Sequence, residues 1–187
     1  MLTNSEYRIR FADRLQKHFF NGGALAPDQT AARWLEWAAV LNRPIIAESA
    51  RWGDHRGSLN DRDDEWLTEQ SRMINTYFPV RSTNVIQDFR DTGIFPDIDA
   101  PEFQVSGFPQ HGGRIPSANS LSLLADDGTI YYTIDGSDPR LEGGGINPNA
   151  LTVASGGSLS LVESSLVRTR ALDAGEWSAL NLSLIHI

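Results

Sequence analysis

The residues that could carry out chemistry are few and scattered along the chain. No cysteine occurs among the 187 residues, which removes thiolate nucleophiles, disulfides and cysteine-bound zinc. Ser137 lacks the G-x-S-x-G turn of a hydrolase nucleophile, and the glycine run 143–145 lacks the Lys-Ser/Thr and helix of a phosphate loop. The histidines show no metal-binding spacing, so we expect solvated or core-edge side chains at His18, His55, His111 and His186. We therefore predict no catalytic residue, no cofactor and no metal in this chain.

One acidic cluster, Asp61, Asp63, Asp64 and Glu65, has the composition of a divalent-metal loop. It lacks the glycine and the ligand spacing of an EF-hand. Acidic residues are also favoured at the first turn of a helix, where backbone N–H groups are unpaired. We expect Asp63 to cap a helix, with metal binding as the less favoured alternative.

A second polar stretch is Asp135, Gly136, Ser137, Asp138 and Pro139, which follows an apolar run typical of a strand. Aspartate and serine side chains in such a turn accept hydrogen bonds from nearby backbone N–H groups, and glycine tolerates positive φ. We predict a structural turn. The alternative is a calcium site formed by Asp135 and Asp138 with nearby carbonyl groups.

Aromatic residues are the remaining candidates, because they can stack on sugar rings. Four tryptophans lie in the helical half: Trp34, Trp37, Trp52 and Trp66. At helical spacing tryptophans are more often core residues than sugar-stacking surfaces, and Trp37 is the one that lies off the apolar stripe. Tyr131 and Tyr132 are adjacent in one predicted strand and so point to opposite faces. One of them is expected to be exposed, which makes the pair a candidate carbohydrate contact.

The first half of the chain has helical periodicity. Tyr7, Phe11, Leu15 and Phe19 form one apolar stripe, which predicts a first helix ending at the 21–23 turn. Pro27 begins a second helix, which Pro44 interrupts near Arg43. We expect two further helices, the third beginning at Asp63 and closed by Pro79, the fourth capped by Ser82 and ended by Gly93.

After Gly93 the period becomes two. Short alternating runs such as Leu121–Ala125 and Ile130–Ile134 are separated by turns rich in Asp and Gly. This pattern predicts an antiparallel, immunoglobulin-like β-sandwich after the helices, and hence an α+β fold with the two kinds of structure segregated along the chain.

Charge and hydropathy exclude some classes of partner. The net charge is −8 with a sequence pI near 4.9, which argues against a nucleic-acid-binding surface. No apolar run approaches the roughly 20 residues of a membrane helix, so no membrane span is expected.

The stretch from Ile130 to Arg140, Ile-Tyr-Tyr-Thr-Ile-Asp-Gly-Ser-Asp-Pro-Arg, resembles the signature of the chitobiase/β-hexosaminidase C-terminal domain family, as do 168–173 and 176–178 further along. Modules of this family are small immunoglobulin-like domains appended to large secreted bacterial proteins. The resemblance covers residues 102–180 and implies an extracellular or cell-surface location.

The helical half resembles the C-terminal helices of CotH-type kinase-like proteins, through residues 5–14, 18–25 and 48–54. The catalytic motifs of that family lie upstream of this region, so the resemblance assigns no catalytic role here. The parent protein implied by it is an atypical kinase.

These observations predict a helical segment over 1–96, a linker over 97–102 and a sandwich over 103–181. Residues 182–187 resemble translated adapter sequence and are expected to be a non-native tail of a fragment. The expected function is a non-catalytic spacer or adhesion part of a secreted CotH-type protein, with a carbohydrate-binding module as the alternative. The expected partners are the upstream part of the same protein and, for the alternative, an extracellular polysaccharide.

Overall fold

The computed structural model describes residues 3–55, 57–116 and 120–187. Helices come first and strands follow, which confirms the predicted α+β organisation. The helices are α1 (Ser5–Phe19), α2 (Pro27–Leu41), α3 (Pro44–Trp52), α4 (Leu67–Arg72) and α5 (Phe78–Asp91), with π-helical segments at Arg62–Trp66 and Met73–Tyr77.

The chain forms two compact units that differ from the predicted division at 97–102. One unit contains the residues up to Lys17 together with Asp88–Ile187, and the other contains His18–Gln87. The first unit therefore combines most of α1 and the end of α5 with all the strands. Sequence periodicity separated helices from strands, whereas the first unit groups residues that are close in space, and side chains of α1 form hydrogen bonds with the strand region.

The helical unit follows the predicted order with two corrections. The break between α2 and α3 falls at Arg43, as Pro44 predicts. The next helix is capped by Asp61 and not by Asp63, because the Asp61 carboxylate accepts hydrogen bonds from the N–H groups of Asp63 and Asp64 at 2.8 and 2.9 Å. Glu65, the fourth residue of this helical run, accepts from the Asp61 N–H at 2.8 Å, a reciprocal contact like that of a capping box but one residue further along.

The predicted third and fourth helices form one helical run from Arg62 to Asp91. Pro79 therefore lies inside a helix. In a regular α-helix a proline ring clashes with the carbonyl group four residues earlier, and here that position belongs to the wider π-helical turn Met73–Tyr77, which makes room for the ring. Ser82 is not a cap. Its hydroxyl donates to the Leu25 carbonyl at 2.7 Å and so joins α5 to the segment before α2.

Packing within His18–Gln87 is sparse. Trp34 donates from its indole nitrogen to Gln70 at 2.7 Å and meets Phe78 edge to face. None of the residues of α2, α3 and α4 is buried, and Trp37 is 68% exposed. The expectation that the tryptophans of the stripe form a core is wrong for Trp52, which is 50% exposed, and Trp34 and Trp66 are only half-buried. Trp37, the tryptophan off the stripe, is exposed.

The strands form two sheets. The first has the order β2-β1-β4-β7, from β1 (Glu102–Val105), β2 (Phe108–Pro109), β4 (Leu121–Leu124) and β7 (Gly157–Leu159). The second has the order β3-β10-β8-β5-β6, with β9 paired to β8; its strands are β3 (Gly113–Arg114), β5 (Thr129–Thr133), β6 (Leu151–Val153), β8 (Ser165–Asp173), β9 (Glu176–Trp177) and β10 (Asn181–His186). Pairing is antiparallel except between β3 and β10.

The core of this unit includes apolar side chains of both sheets. Phe103, Leu121 and Leu123 come from the first sheet and Ile130 and Val167 from the second, and all are at most 2% exposed. This alternation of buried and outward-facing residues is what a two-layer sandwich requires.

The last strand departs from the prediction for residues 182–187. β10 pairs with β8 over five positions, and Ile185 is completely buried in the core. The segment thus lies inside the sandwich rather than outside it. The inward positions of β10 include the polar residues Asn181 and Ser183, so the apolar alternation of this strand is weak in the sequence.

Candidate functional site

The turn after β5 is held by its own side chains. Asp135 Oδ1 accepts hydrogen bonds from the N–H and the hydroxyl of Ser137 at 2.9 and 2.6 Å. Thr133 donates to the Ser137 carbonyl at 2.6 Å, and Gly136 has a φ of +81°. These contacts are those of a tight turn closed by side-chain acceptors.

The second half of the turn is fixed by Asn147. Its amide nitrogen donates to the Ser137 hydroxyl at 3.0 Å and to the Asp138 carbonyl at 2.8 Å, and its N–H donates to the carbonyl of the buried Pro139 at 2.8 Å. Asp138 Oδ1 accepts from the Arg140 N–H at 2.9 Å. Asp138 also reaches outside the turn, to an arginine of β8.

That arginine, Arg170, is 2% exposed and lies between two carboxylates. Asp138 accepts from its Nε and Nη2 at 2.8 and 2.7 Å, and Asp13 of α1 accepts from Nη1 and Nη2, both at 2.8 Å. Nη1 also donates to the Ser178 carbonyl at 2.8 Å. All five N–H groups of the guanidinium therefore have an acceptor, which is the condition for burying an arginine without a large penalty.

A second contact of the same kind lies two helical turns earlier in α1. Glu6 accepts from Arg140 Nη1 and Nη2 at 3.0 and 2.6 Å and from the Gly143 N–H at 2.9 Å. Asp13 likewise accepts from a backbone group, the Leu180 N–H at 2.7 Å. Each acid of α1 is thus held by one arginine and one backbone N–H. We call the set Glu6, Asp13, Asp138, Arg140 and Arg170 the acid–arginine cluster.

In three members of this cluster, Glu6, Asp138 and Arg170, the pKa is shifted in the direction that favours the charged form. The hydrogen bond from Arg140, assisted by the Gly143 N–H, lowers the pKa of Glu6 to about 2. Burial raises the pKa of Asp138, but the hydrogen bond and charge of Arg170 outweigh it, so the net shift is downward. Burial lowers the pKa of Arg170, and its two carboxylate partners more than reverse this. These shifts move the acids away from neutral pH, which suits fixed ion pairs and not general acid–base catalysis.

The candidate carbohydrate contacts lie on opposite faces of β5. Both are half-buried, so the expectation that one of them is exposed is wrong. Tyr132 packs against the sandwich core, whereas Tyr131 lies opposite Arg170 on the other face of the sheet. Tyr131 contacts Trp177 with ring centroids 5.4 Å apart and planes tilted by 57°. Trp177 is 6% exposed and its indole donates to the Gly144 carbonyl at 2.8 Å. Its ring thus offers little surface for stacking on a sugar.

Within the described residues, no group of three or more histidine, aspartate or glutamate side chains is arranged to hold a metal ion. The carboxylates at Asp61 and Glu65 are used for helix capping. His111 lies against the Phe103 ring and His55 against the Trp52 ring.

Sequence reasoning named Asp138 but missed its partners. Glu6 and Asp13 are seven residues apart and so share a face of α1, which is a visible signal. Arg170 occupies an outward position of β8, where an arginine is ordinary. Only the fold brings residues 13, 138 and 170 together.

Comparison of the chain with protein-family models, with curated proteins and with solved structures finds no match in any of the three. Among the helices of the described residues, none has the length and apolar character needed to cross a membrane.

Proposed function

We propose that this chain is a non-catalytic accessory part of a larger secreted bacterial protein of the CotH type, in which the sandwich is a spacer fastened to the helix that precedes it. The observation that carries the proposal is the acid–arginine cluster. In this cluster Asp138 and Arg140 of the 135–140 stretch form hydrogen bonds with residues of their own unit. In a binding or catalytic site, such side chains would be available to a ligand.

The cluster suits a mechanical role. Asp13 and Glu6 hold α1 at two points on one helix face, and two points fix the direction of the helix as well as its position. The buried Arg170 has all its hydrogen bonds only when α1 lies in this position on the sandwich, and other positions of α1 would leave some of its N–H groups without an acceptor. The sandwich would therefore set the direction in which the preceding chain leaves it.

A carbohydrate-binding sandwich is the alternative function. It would be favoured by exposed, coplanar aromatic rings, because sugars stack on flat aromatic surfaces. Tyr131 is tilted against Trp177, and Trp177 is almost fully covered. This arrangement favours the spacer. The kinase activity implied for the intact parent belongs to its upstream part and is assigned to no residue here.

Two assays test the proposal. The purified chain is incubated with ATP and Mg²⁺, and separately with insoluble chitin or cellulose. We expect no phosphate release above a heat-inactivated control and no depletion of protein from the supernatant. Phosphate transfer would contradict the non-catalytic assignment. Retention on a polysaccharide that Tyr131→Ala abolishes would establish the carbohydrate-binding alternative instead.

A further inference from the structure

The face of α1 that carries Tyr7 borders a cleft that the spacer function leaves unexplained. The cleft is lined by residues of the first three turns of α1 and by Glu142, and it has a volume of about 480 Å³. All of its lining residues belong to the unit that contains the strands. Small-molecule sites have volumes of about 300 to 1,000 Å³, so the cleft has room for a ligand of that class.

Two aromatic rings form the apolar part of the cleft. Tyr7 and Phe11 are one helical turn apart, with ring centroids separated by 6.2 Å and planes inclined by only 17°. Phe89 meets the Phe11 ring edge to face at 5.3 Å and so fixes it from the other side of the helix face. Tyr7 is 38% exposed, so the protein covers only part of its side chain. Such a pair of rings on a rigid helix is a surface on which the apolar face of another ring can pack.

The charged groups around the cleft leave one positive charge unbalanced. Two acids and two arginines are among its lining residues: Glu6, Glu142, Arg10 and Arg14. Both carboxylate oxygens of Glu6 accept hydrogen bonds from Arg140, which lies outside the lining, and Glu142 is paired with Arg10. Arg14 is exposed, and its side chain has neither an acid partner nor a hydrogen bond within residues 3–55, 57–116 and 120–187. The five charged groups therefore sum to one positive charge.

This balance selects the ligand by its charge. Arg14 follows Phe11 by three residues and so lies on the same face of α1 as the aromatic rings. Its guanidinium offers five N–H donors in a fork that fits the oxygens of an oxyanion. One unpaired arginine balances one negative charge, which a carboxylate or a sulfate ester carries. A phosphate monoester carries about −1.5 to −2 at neutral pH and would exceed it.

Unused hydrogen-bonding groups beside the rings favour a ligand with hydroxyl groups. Asn4 uses its side-chain oxygen to cap α1, accepting from the Tyr7 N–H at 3.0 Å. The Asn4 amide nitrogen, the Tyr7 hydroxyl and the Arg10 Nε have no hydrogen-bond partner among the described residues. A sugar combines an apolar ring face with several hydroxyl groups, whereas an aromatic acid has the ring and the charge alone.

We infer that this cleft binds an acidic sugar, with the sugar ring on Tyr7 and Phe11 and its single anionic group on Arg14. The anionic group occurs as the carboxylate of a uronic acid or as the sulfate of a sulfated sugar, and the cleft recognises the chemistry that the two share. This inference is independent of the spacer function. The neutral polysaccharides chitin and cellulose lack the anionic group that it requires.

The test is a titration of the ¹⁵N-labelled full-length chain, followed by the amide signals of residues 4–14 and of Glu142 in ¹⁵N–¹H spectra. The probes are the methyl α-glycosides of galacturonate, galactose 6-sulfate and neutral galactose, which differ only at C6. We expect the better of the two acidic sugars to bind with a Kd on the order of 1 mM, and galactose to bind about tenfold more weakly. Whichever acidic sugar binds more tightly identifies the source of the anionic group.

Two variants with matched controls assign the site. Arg14→Gln removes the unpaired charge and should weaken binding of the acidic sugar about tenfold while leaving binding of galactose unchanged. Lys17→Gln removes one positive charge from the same helix outside the cleft and should change neither Kd. Tyr7→Leu should weaken binding of all three sugars about fivefold, whereas Phe108→Leu, at an exposed ring of the sandwich, should not.

Four results would overturn the inference. The first is that neither acidic sugar shifts these signals, and the second is that galactose binds as tightly as the acidic sugars. The third is that Arg14→Gln and Lys17→Gln bind the acidic sugar equally well. The fourth is that benzoate or adenosine 5′-monophosphate shifts the same signals at lower concentration than either acidic sugar, which would identify a site for an aromatic acid or a nucleotide.

Discussion

Replacing Asp13 by alanine tests the buried part of the acid–arginine cluster. Asp13 accepts two hydrogen bonds from Arg170 and one from the Leu180 N–H, all between 2.7 and 2.8 Å. Removing one partner of a buried ion pair costs about 3 to 5 kcal/mol. Arg170 keeps Asp138 as a partner, so we expect a loss near the lower limit, about 3 kcal/mol.

Arg10→Ala is the matched control on the same helix. Arg10 pairs with Glu142, but both side chains are more than two-thirds exposed, at 70% and 73%. Exposed ion pairs contribute about 0 to 1 kcal/mol, so the free energy of unfolding should fall by less than ~1 kcal/mol. Each variant removes one ion pair. They differ in burial and in the Leu180 N–H, which loses its acceptor only in Asp13→Ala.

The measurement is equilibrium unfolding in urea, in which the folded fraction at each urea concentration is determined by a short pulse of protease. The 88–187 region that survives the pulse is quantified by mass spectrometry. With a urea dependence of about 2 kcal/mol per molar, Asp13→Ala should lower the midpoint by roughly 1.5 M. Asp13→Asn, which keeps an acceptor but not the charge, should fall between the two. A loss below ~0.5 kcal/mol for Asp13→Ala would refute the reasoning, because surface substitutions away from such contacts have effects of that size.

Three further predictions follow from single contacts. The pKa of Glu6 falls from its ordinary value of 4.5 to about 2 when the carboxylate pairs with Arg140. The contribution of Glu6 to stability is therefore complete above pH ~5 and is lost as the pH falls toward 2. Glu6→Gln should flatten the pH dependence of the melting temperature between these two pH values. Asp135→Asn keeps the acceptor for the turn and should lose little stability, and millimolar calcium should not raise the melting temperature of the unmodified chain; a calcium-dependent rise that this variant abolishes would establish a calcium site. Gly128→Ala places a Cβ atom 2.6 Å from the Leu172 carbonyl oxygen at a φ of +75° and should lower the free energy of unfolding by more than ~2 kcal/mol. Gly136 has a similar φ of +81° but open space around it, so Gly136→Ala should lower that free energy by about 1 kcal/mol. Thermal unfolding that ranks the two variants in the opposite order would contradict the packing described.

The order of elements could be predicted from the sequence because it depends on local patterns. The apolar stripe of α1, the break at Pro44 and the alternation of Ile130 and Tyr132 all act within a few residues. Pro79 was misread because the π-helical turn that accommodates it has no sequence signature of its own. Residues 182–187 were set aside because they resemble translated adapter sequence, and the polar inward residues Asn181 and Ser183 of β10 gave no apolar alternation to oppose that interpretation.

The candidate site was predictable only in part. The turn from Asp135 to Pro139 has the side chains of a tight turn, and its hydrogen bonds are those its residue types favour. The ion pair between Asp13 and Arg170 joins residues 157 positions apart, and no local pattern predicts it. The grouping of α1 with the strands depends on such distant contacts, so a division of the chain by periodicity could not have found it.

Native-state hydrogen exchange tests the central claim, which is that α1 is fastened to the sandwich by the acid–arginine cluster. We expect the amides of residues 9–17 to exchange with the same opening free energy as those of β8. In Asp13→Ala, the helix amides should exchange by a separate local opening of lower free energy while β8 stays protected. Exchange of α1 independently of β8 in the unmodified chain, together with no change in Asp13→Ala, would contradict the account.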